Sequence, residues 1–450
     1  MKKVTFLTLP FLFALASLGL FLRLSTPVKA AAGPCSVPGS HPSIQAAVND
    51  INCDTINVAA GTFNGVVGIT RSLAIVGEGP GSTFVDGGGG GPNFYVSPGL
   101  TVSLESLTIF NGYHVEGTGI YNEGSRLTIS NTRFMSNTAT GEGGGLYNLN
   151  GQVTILNSEF VTNSAVFGGG IYNTGIITVA QTLFRGNSAV NQTFTLGAGG
   201  GLYSSGSGTV ERSQFVNNRA FANGGAVSNN GNLLIRQTSI DENFAVSGTG
   251  SGGGIGNSGG LIVISSAIIN NNAIDGGGVM NNGSLAMINS TVSGNNGNGG
   301  GGLQNRNLAT ISYSTFSDNM ALAGGGILMI TGTVNLNSTI IALNPGGGDC
   351  FIAGGVLISQ DYNLDGDNSC NLSQPNDLPG MPPLLGPLQN NGGWTQTQAL
   401  MPGSPGIDGG DSATCPPGDQ RGFPRPIGPA CDIGAYEAGM AVYLPAIRKP

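Results

Sequence analysis

Residues 143–163 read GGGLYNLNGQVTILNSEFVTN, and residues 168–187 repeat the pattern as GGGIYNTGIITVAQTLFRGN. The two stretches hold the same parts in the same order. A Gly-rich turn comes first, then an apolar residue with Tyr-Asn. An alternating apolar pair follows (Val153/Ile155, then Ile177/Val179), and the stretch ends on Phe with Asn three residues later. Strict alternation marks a half-buried strand. The Gly and Asn positions mark turns. No segment between them is long enough for a helix.

Working outward, the third position of the Gly element falls at Gly119, Gly145, Gly170, Gly201, Ala226, Gly254, Gly278, Gly302 and Gly326. The spacings are 26, 25, 31, 25, 28, 24, 24 and 24. The two long ones hold insertions around Val190–Leu196 and Val246–Gly250. The second element keeps the beat: Phe134/Asn137, Phe160/Asn163, Phe184/Asn187, Phe215/Asn218, Ile240/Asn243, Ile268/Asn271, Val292/Asn295 and Phe316/Asn319. A hydroxyl stands two residues before each apolar position, from Thr132 and Ser158 to Ser314. Short strands at a fixed period, each unable to bury its apolar face alone, imply a solenoid. About 24 residues per turn suits a three-sided parallel β-helix, and 11 or 12 coils at ~4.8 Å each would make a rod about 55 Å long. Like side chains then stack. Asn columns hydrogen-bond along the stack, and Asn and Gly take the positive φ that corners demand.

Composition agrees. The chain has 79 Gly in 450 residues and only 9% charged residues, with 39% hydrophobic. Gly at this density excludes a helical bundle. The absence of a Gly-X-Y register excludes collagen, and the apolar content excludes disorder by charge.

Residues 1–32 read as a secretory signal: Lys2 and Lys3, an apolar run Val4–Leu22, and small residues at Ala30–Ala32. Without them the chain has 12 basic and 24 acidic residues, with no Lys between Lys29 and Lys449. That argues against a nucleic-acid partner. No later segment is apolar enough for a transmembrane helix. Six Cys fit an exported, oxidised protein. Of fifteen connectivities, the simplest pairs neighbours: Cys35–Cys53, Cys350–Cys370, Cys415–Cys431. Residues 42–48 read as a short capping helix before a first strand at Thr55–Val58, so that the open end of the solenoid is covered.

The stretch from Ser43 through Asp54-Thr55-Ile56-Asn57-Val58 and Gly61-Thr62-Phe63, with Leu73-Ala74-Ile75-Val76-Gly77-Glu78-Gly79, resembles the opening of pectin-lyase-like right-handed β-helices. The repeats resemble those of polymorphic outer-membrane proteins, defined by G-G-A-I and F-x-x-N: Gly224-Gly225-Ala226-Val227 and Phe215/Asn218 match nearly letter for letter. The C-terminal part resembles the choice-of-anchor Q region of secreted bacterial proteins. It carries Asn390-Asn391-Gly392-Gly393-Trp394-Thr395-Gln396-Thr397, Pro402-Gly403-Ser404-Pro405, Asp419-Gln420-Arg421-Gly422 and Cys431-Asp432-Ile433-Gly434-Ala435-Tyr436-Glu437. These resemblances imply an exported protein of the bacterial cell surface or outer membrane. The expected organisation is a signal at 1–32, an N-terminal cap and first coils at 33–110, and the repeat β-helix at 111–345. A disulfide-bearing C-terminal cap at 346–440 and a tail at 441–450 complete it.

The residues are poor in chemistry. Glycosidases need paired carboxylates, and in the repeats only Asp241-Glu242 are adjacent, pointing opposite ways if on a strand. His41 falls in the cap, and His114 with Glu116 reads as a solvated turn. Asp361, Asn363, Asp365 and Gly366 spell D-x-N-x-D-G, the first half of a calcium loop, with Asp367 nearby, but position 12 is Leu372. Calcium at Asp361, Asn363 and Asp365 is thus the one cofactor expectation; an Asx-rich turn closed by Cys350 and Cys370 is the alternative. A Thr column (Thr128, Thr154, Thr178, Thr209, Thr310) should face outward, interrupted by Leu234, Ile262 and Ala286. The leading expectation is a monomeric, non-catalytic, adhesin-like secreted or cell-surface protein whose partner is an extracellular polysaccharide or surface protein. The alternatives are a polysaccharide lyase or glycoside hydrolase, and a purely structural envelope component.

Overall fold

The computed structural model describes residues 35–190, 196–247 and 250–439. The signal reading and the tail at 441–450 lie outside the described residues. The chain winds as a right-handed parallel β-helix of about thirteen turns. Sheet A runs through fourteen strands from Cys35–Val37 to Val356–Ser359. Sheet B also has fourteen, from Gly61–Asn64 to Leu378–Pro379, and sheet C twelve, from Val67–Ile69 to Cys350–Ile352. A narrow six-strand ribbon from Tyr113–His114 to Phe244–Ala245 joins sheet B to sheet C. One coil shows the order: Leu146–Leu149 in C, Gln152–Leu156 in A, Glu159–Val161 in B, Ser164–Ala165 in the ribbon. The turn count exceeds the 11 or 12 expected, because turns at both ends form without the Gly and F-x-x-N signatures.

Register explains the interior. Phe134, Phe160, Phe184 and Phe215 pair directly in sheet B and stack with ring centroids 4.4, 5.0 and 4.4 Å apart. The F-x-x-N asparagines form a buried ladder in which each Nδ2 donates to the next Oδ1 at 2.9–3.0 Å. It runs from Asn137 to Asn344 and ends on the Asp349 carboxylate at 2.8 Å. A second ladder joins Asn122, Asn148 and Asn173 under sheet C, and its counterpart joins Asn229, Asn257, Asn281 and Asn305. One expectation needs correcting. The ladder asparagines do not supply the positive φ at their corner; the residue before each does, as at Thr162 (φ 53) and Glu242 (φ 55). The asparagines are held in ordinary backbone by the bonds their amides make inward.

The first Gly of each Gly element takes positive φ, 68° at Gly143 and 65° at Gly168. The third packs on the Phe column: a Cβ on Gly145 would lie 2.7 Å from the Phe160 ring. The coil with Ala226 at this position has the smaller Ile240 in the Phe column.

At the N-terminal end, helix Ile44–Asn49 is capped by Ser43 and buries Ile44, Ala47 and Val48 over the first coils. The strand Cys35–Val37, not Thr55–Val58, is the first of sheet A. Cys35–Cys53 ties it down, and Arg71 donates to the carbonyls of Val48, Asp50 and Cys53. The other two disulfides are Cys350–Cys370 and Cys415–Cys431.

The C-terminal segment does more than close the far end. It folds back along sheet B. In sheet B the outward positions read Arg133, Glu159, Leu183, Gln214 and Ser239 over the early coils, then Ala267, Thr291, Thr315 and Ile340. These last four, none of them charged, are buried. Thr291 donates to Gln420, Ser317 to Gln398, and Asn289 to the Gly418 carbonyl. Ile340, Ala342, Leu364, Leu400 and Ile433 make a second apolar core beneath the segment. Inside it, Arg421 pairs with Asp419 at 2.6 Å and lies over Tyr436, while Arg425 is buried beside Glu437.

Candidate functional site

With sheet B partly covered, sheets A and C offer the open faces. In sheet C the outward position of five successive coils is Tyr95, Tyr121, Tyr147, Tyr172 and Tyr203, paired directly in register. The rings stack with centroids 5.3, 5.0, 5.2 and 4.9 Å apart. Tyr147 is buried at 9% exposure and the rest are half-buried, so the column shows ring edges and hydroxyls. The ladder opens where neighbours lack rings: Tyr95 lies beside Gly68, and Tyr203 beside Ser228, which is followed by Gly256. Phe167 leans on Tyr203 at 5.6 Å, and Asn230 donates to its hydroxyl at 2.7 Å.

Acids border this column. The Tyr95 hydroxyl donates to Glu123 at 2.5 Å, and this bond, with burial, pushes the phenol up to about 12. Burial first, and the nearby Glu116 second, raise the phenols of Tyr121 and Tyr147. Burial, then the charge of Glu116, also raises Glu142. Tyr121, Tyr147 and Tyr172 sit inside the repeat signature itself, so sequence reasoning absorbed them as structure. The signal that could have found the ladder is that an aromatic keeps its place at a position facing solvent.

Sheet A carries a trough of about 870 Å³. Its floor is Thr178, Leu234, Ile262 and Ala286, with Ile176 and Leu308 exposed at the rim. The Thr column faces outward as expected, and its interruptions are this apolar floor.

The expected calcium residues do not converge. Asp361 accepts from the backbone and side chain of Asn376. Asn363 turns inward, accepting from the Thr339 N–H and donating to Ser359 and the Leu336 carbonyl. Asp365 instead meets Asp349 and Asp367, their carboxylates within 4.8 Å of one another. Burial pushes Asp349 to about 6 and Asp365 to about 7. All three already accept hydrogen bonds: Asp349 from Asn344, Asp365 from the Cys370 N–H, Asp367 from Ser369. Hard oxygen donors in this number suit part of a calcium shell, which needs six to eight. Asp349 escaped the motif because it arrives from sixteen residues upstream, at the end of the Asn ladder.

The adjacent acids separate: Asp241 accepts from Asn270, and Glu242 from Asn217. His114 bonds through Nδ1 to the backbone of Glu116. His41 Nε2 lies 3.8 Å from Cys53 Sγ, but that sulfur is in a disulfide.

No family model matches the sequence, and no curated protein matches it. Among solved structures the chain is similar to the catalytic domain of a GH87 alpha-1,3-glucanase in complex with tetrasaccharides. That match has 12% identity and TM-score 0.40, covering 76% of this chain and 70% of the other. It is also similar to pectate lyase Pel9A, at 14% identity and TM-score 0.35, covering 86% and 88%. Both are carbohydrate-active enzymes. Identity this low says nothing about substrate. Among the described residues no helix is long and apolar enough to cross a membrane.

Proposed function

We propose that this chain is an exported, non-catalytic protein of the cell surface that holds an extended polysaccharide along sheet C. The observation that carries the reading is the five-tyrosine ladder. Its rings repeat every 4.9–5.3 Å, and a pyranose in an extended glycan advances by a comparable step. A glycan laid parallel to the solenoid axis therefore meets the same hydroxyl and ring edge at each sugar. Tyr suits this use, because it presents a rigid apolar body with a polar tip. Three disulfides fit an oxidising compartment. The resemblances of the repeats and of the C-terminal segment support export to the surface; the segment itself clasps sheet B.

The test is gel retardation of the purified protein in a panel of polysaccharides, with and without Ca²⁺, scoring new reducing or unsaturated ends in the same samples. Retardation without product, lost in Tyr121→Ala and Tyr172→Ala, is expected. Product release would replace this reading with the runner-up, a lyase or hydrolase. Neither retardation nor product would leave a structural envelope component.

A further inference from the structure

We propose that the trough on sheet A binds a free long-chain fatty acid, with the carboxylate at Arg126. This face is distinct from the tyrosine rail, and its ligand is independent of the glycan reading. One outward column of sheet A carries Thr154, Thr178 and Thr209, then Leu234, Ile262 and Ala286, then Thr310 again. Thr satisfies the coil at this position, so three successive apolar side chains facing solvent need another cause. The trough they floor holds about 870 Å³, within the range of small-molecule pockets, and none of its lining residues is charged. Small residues, Ser207, Gly260 and Ser284, line its middle between the exposed Ile176 and Leu308.

Shape and backbone select the occupant. From Ile176 to Leu308 the trough crosses five strand spacings, about 24 Å along the axis. A palmitoyl chain laid straight has nearly that length. The strands beneath are paired on both sides, so a docking peptide would find no free main-chain groups and would bury its own unpaired. A hydrocarbon chain has none to lose. Charge complementarity then fixes the head group. Arg126 stands on the column that leads into the trough, two coils before Ile176. It is exposed, and among the described residues it forms no ion pair. The other bases near this face are taken: Arg212 and Arg236 by Glu211, and Arg306 by Asp275. Glu123, across the corner from Arg126, accepts from the Tyr95 hydroxyl. An Arg fork matches a carboxylate with two parallel bonds. An acid head therefore sits at the Ile176 end, and its chain runs toward Leu308.

The experiment is displacement of fluorescent cis-parinarate from the full protein by palmitate, laurate and hexadecanol. Palmitate is expected to bind, and laurate, with its shorter chain, at least about tenfold more weakly. Hexadecanol, which lacks the charge, should bind about threefold or more weakly than palmitate. Arg126→Gln should erase the preference for the acid and leave hexadecanol unchanged. The double variant Leu234→Thr, Ile262→Thr restores the residue that neighbouring coils carry, so it should fold as the native chain does, which thermal unfolding checks. It should lose palmitate at least about tenfold and keep polysaccharide retardation. No binding of palmitate, equal affinity for palmitate and hexadecanol, or unchanged binding in the folded Thr variant overturns the proposal and leaves the tyrosine rail untouched. A native dimer in sedimentation that the Thr variant dissolves also overturns it, and gives the trough to a second copy of the chain.

Discussion

Asn243 shows what a repeated residue does here. Its Nδ2 donates to Asn271 Oδ1 at 2.9 Å and to the Phe215 carbonyl, while its own Oδ1 accepts from the backbone and side chain of Asn218. Truncation strands these partners in a dry interior. Asn243→Ala should therefore cost about 3 kcal/mol, since each buried orphan costs roughly 1–3. Asn270, exposed and left-handed at φ 54, should cost only about 1 kcal/mol as Ala. Chemical denaturation of the two variants checks the ranking, and equal losses would refute it. Tyr95 gives a pH prediction. Its phenol is raised by the bond to Glu123 and by burial, so the folded state favours the neutral form. That contribution is complete below the usual value of 10.0 and is lost as pH rises through about 12. In an ultraviolet phenol titration, Glu123→Gln should move one late ionisation down toward 10. An unchanged curve would break the assignment. At this scale the ladder asparagines were legible, because a polar residue locked to an apolar period has to be satisfied internally. Corners such as Arg212 (φ 47) and Tyr313 (φ 48) were not, because their left-handed backbone is imposed by the coil path, not by residue type.

The Gly element combines two different demands. Gly168 is left-handed, and a Cβ there would collide with the Ile171 carbonyl. Gly186 has nearly the same φ, 63°, but the nearest atom to an added Cβ is a Thr162 methyl at 3.6 Å. Gly186→Ala should cost about 1 kcal/mol, the backbone strain alone. Gly168→Ala should cost more than twice that, and thermal unfolding of the pair measures the difference. The clasp on sheet B is an element-level feature that sequence reading missed. Its signal is the change from Arg133 and Glu159 to Ala267 and Thr291 at one outward column. The partners are distant, Asn289 with Gly418 and Thr291 with Gln420, and the segment has no period to reveal them. Thr315→Arg should force the segment off, since Thr315 is 2% exposed beneath it and accepts from the Ala435 N–H. Limited proteolysis should then cut between residues 385 and 439 and spare the solenoid. Resistance equal to that of the native protein would show that the clasp is not held there.

On the scale of the whole molecule, periodicity decides nearly everything about the fold. Each coil repeats the one before, so one well-read repeat gives three sheets, the corners and the stacked interior. What periodicity conceals is function, because a column kept for stacking and a column kept for a ligand look alike in sequence. Tyr172 and Phe184 recur on the same beat, and only the coordinates put one on the half-buried outer face and the other inside. The molecule is then a rod with one side clasped by its own chain, one apolar trough and one aromatic rail. The central claim is that the rail is the ligand face. Oxidative footprinting by mass spectrometry, with and without a retained polysaccharide, tests it most directly. Protection of Tyr95, Tyr121, Tyr172 and Tyr203, with Tyr362 and Tyr436 unchanged, is predicted. Protection of Ile176 and Leu308 in the sheet A trough, with the tyrosines still reactive, would contradict it.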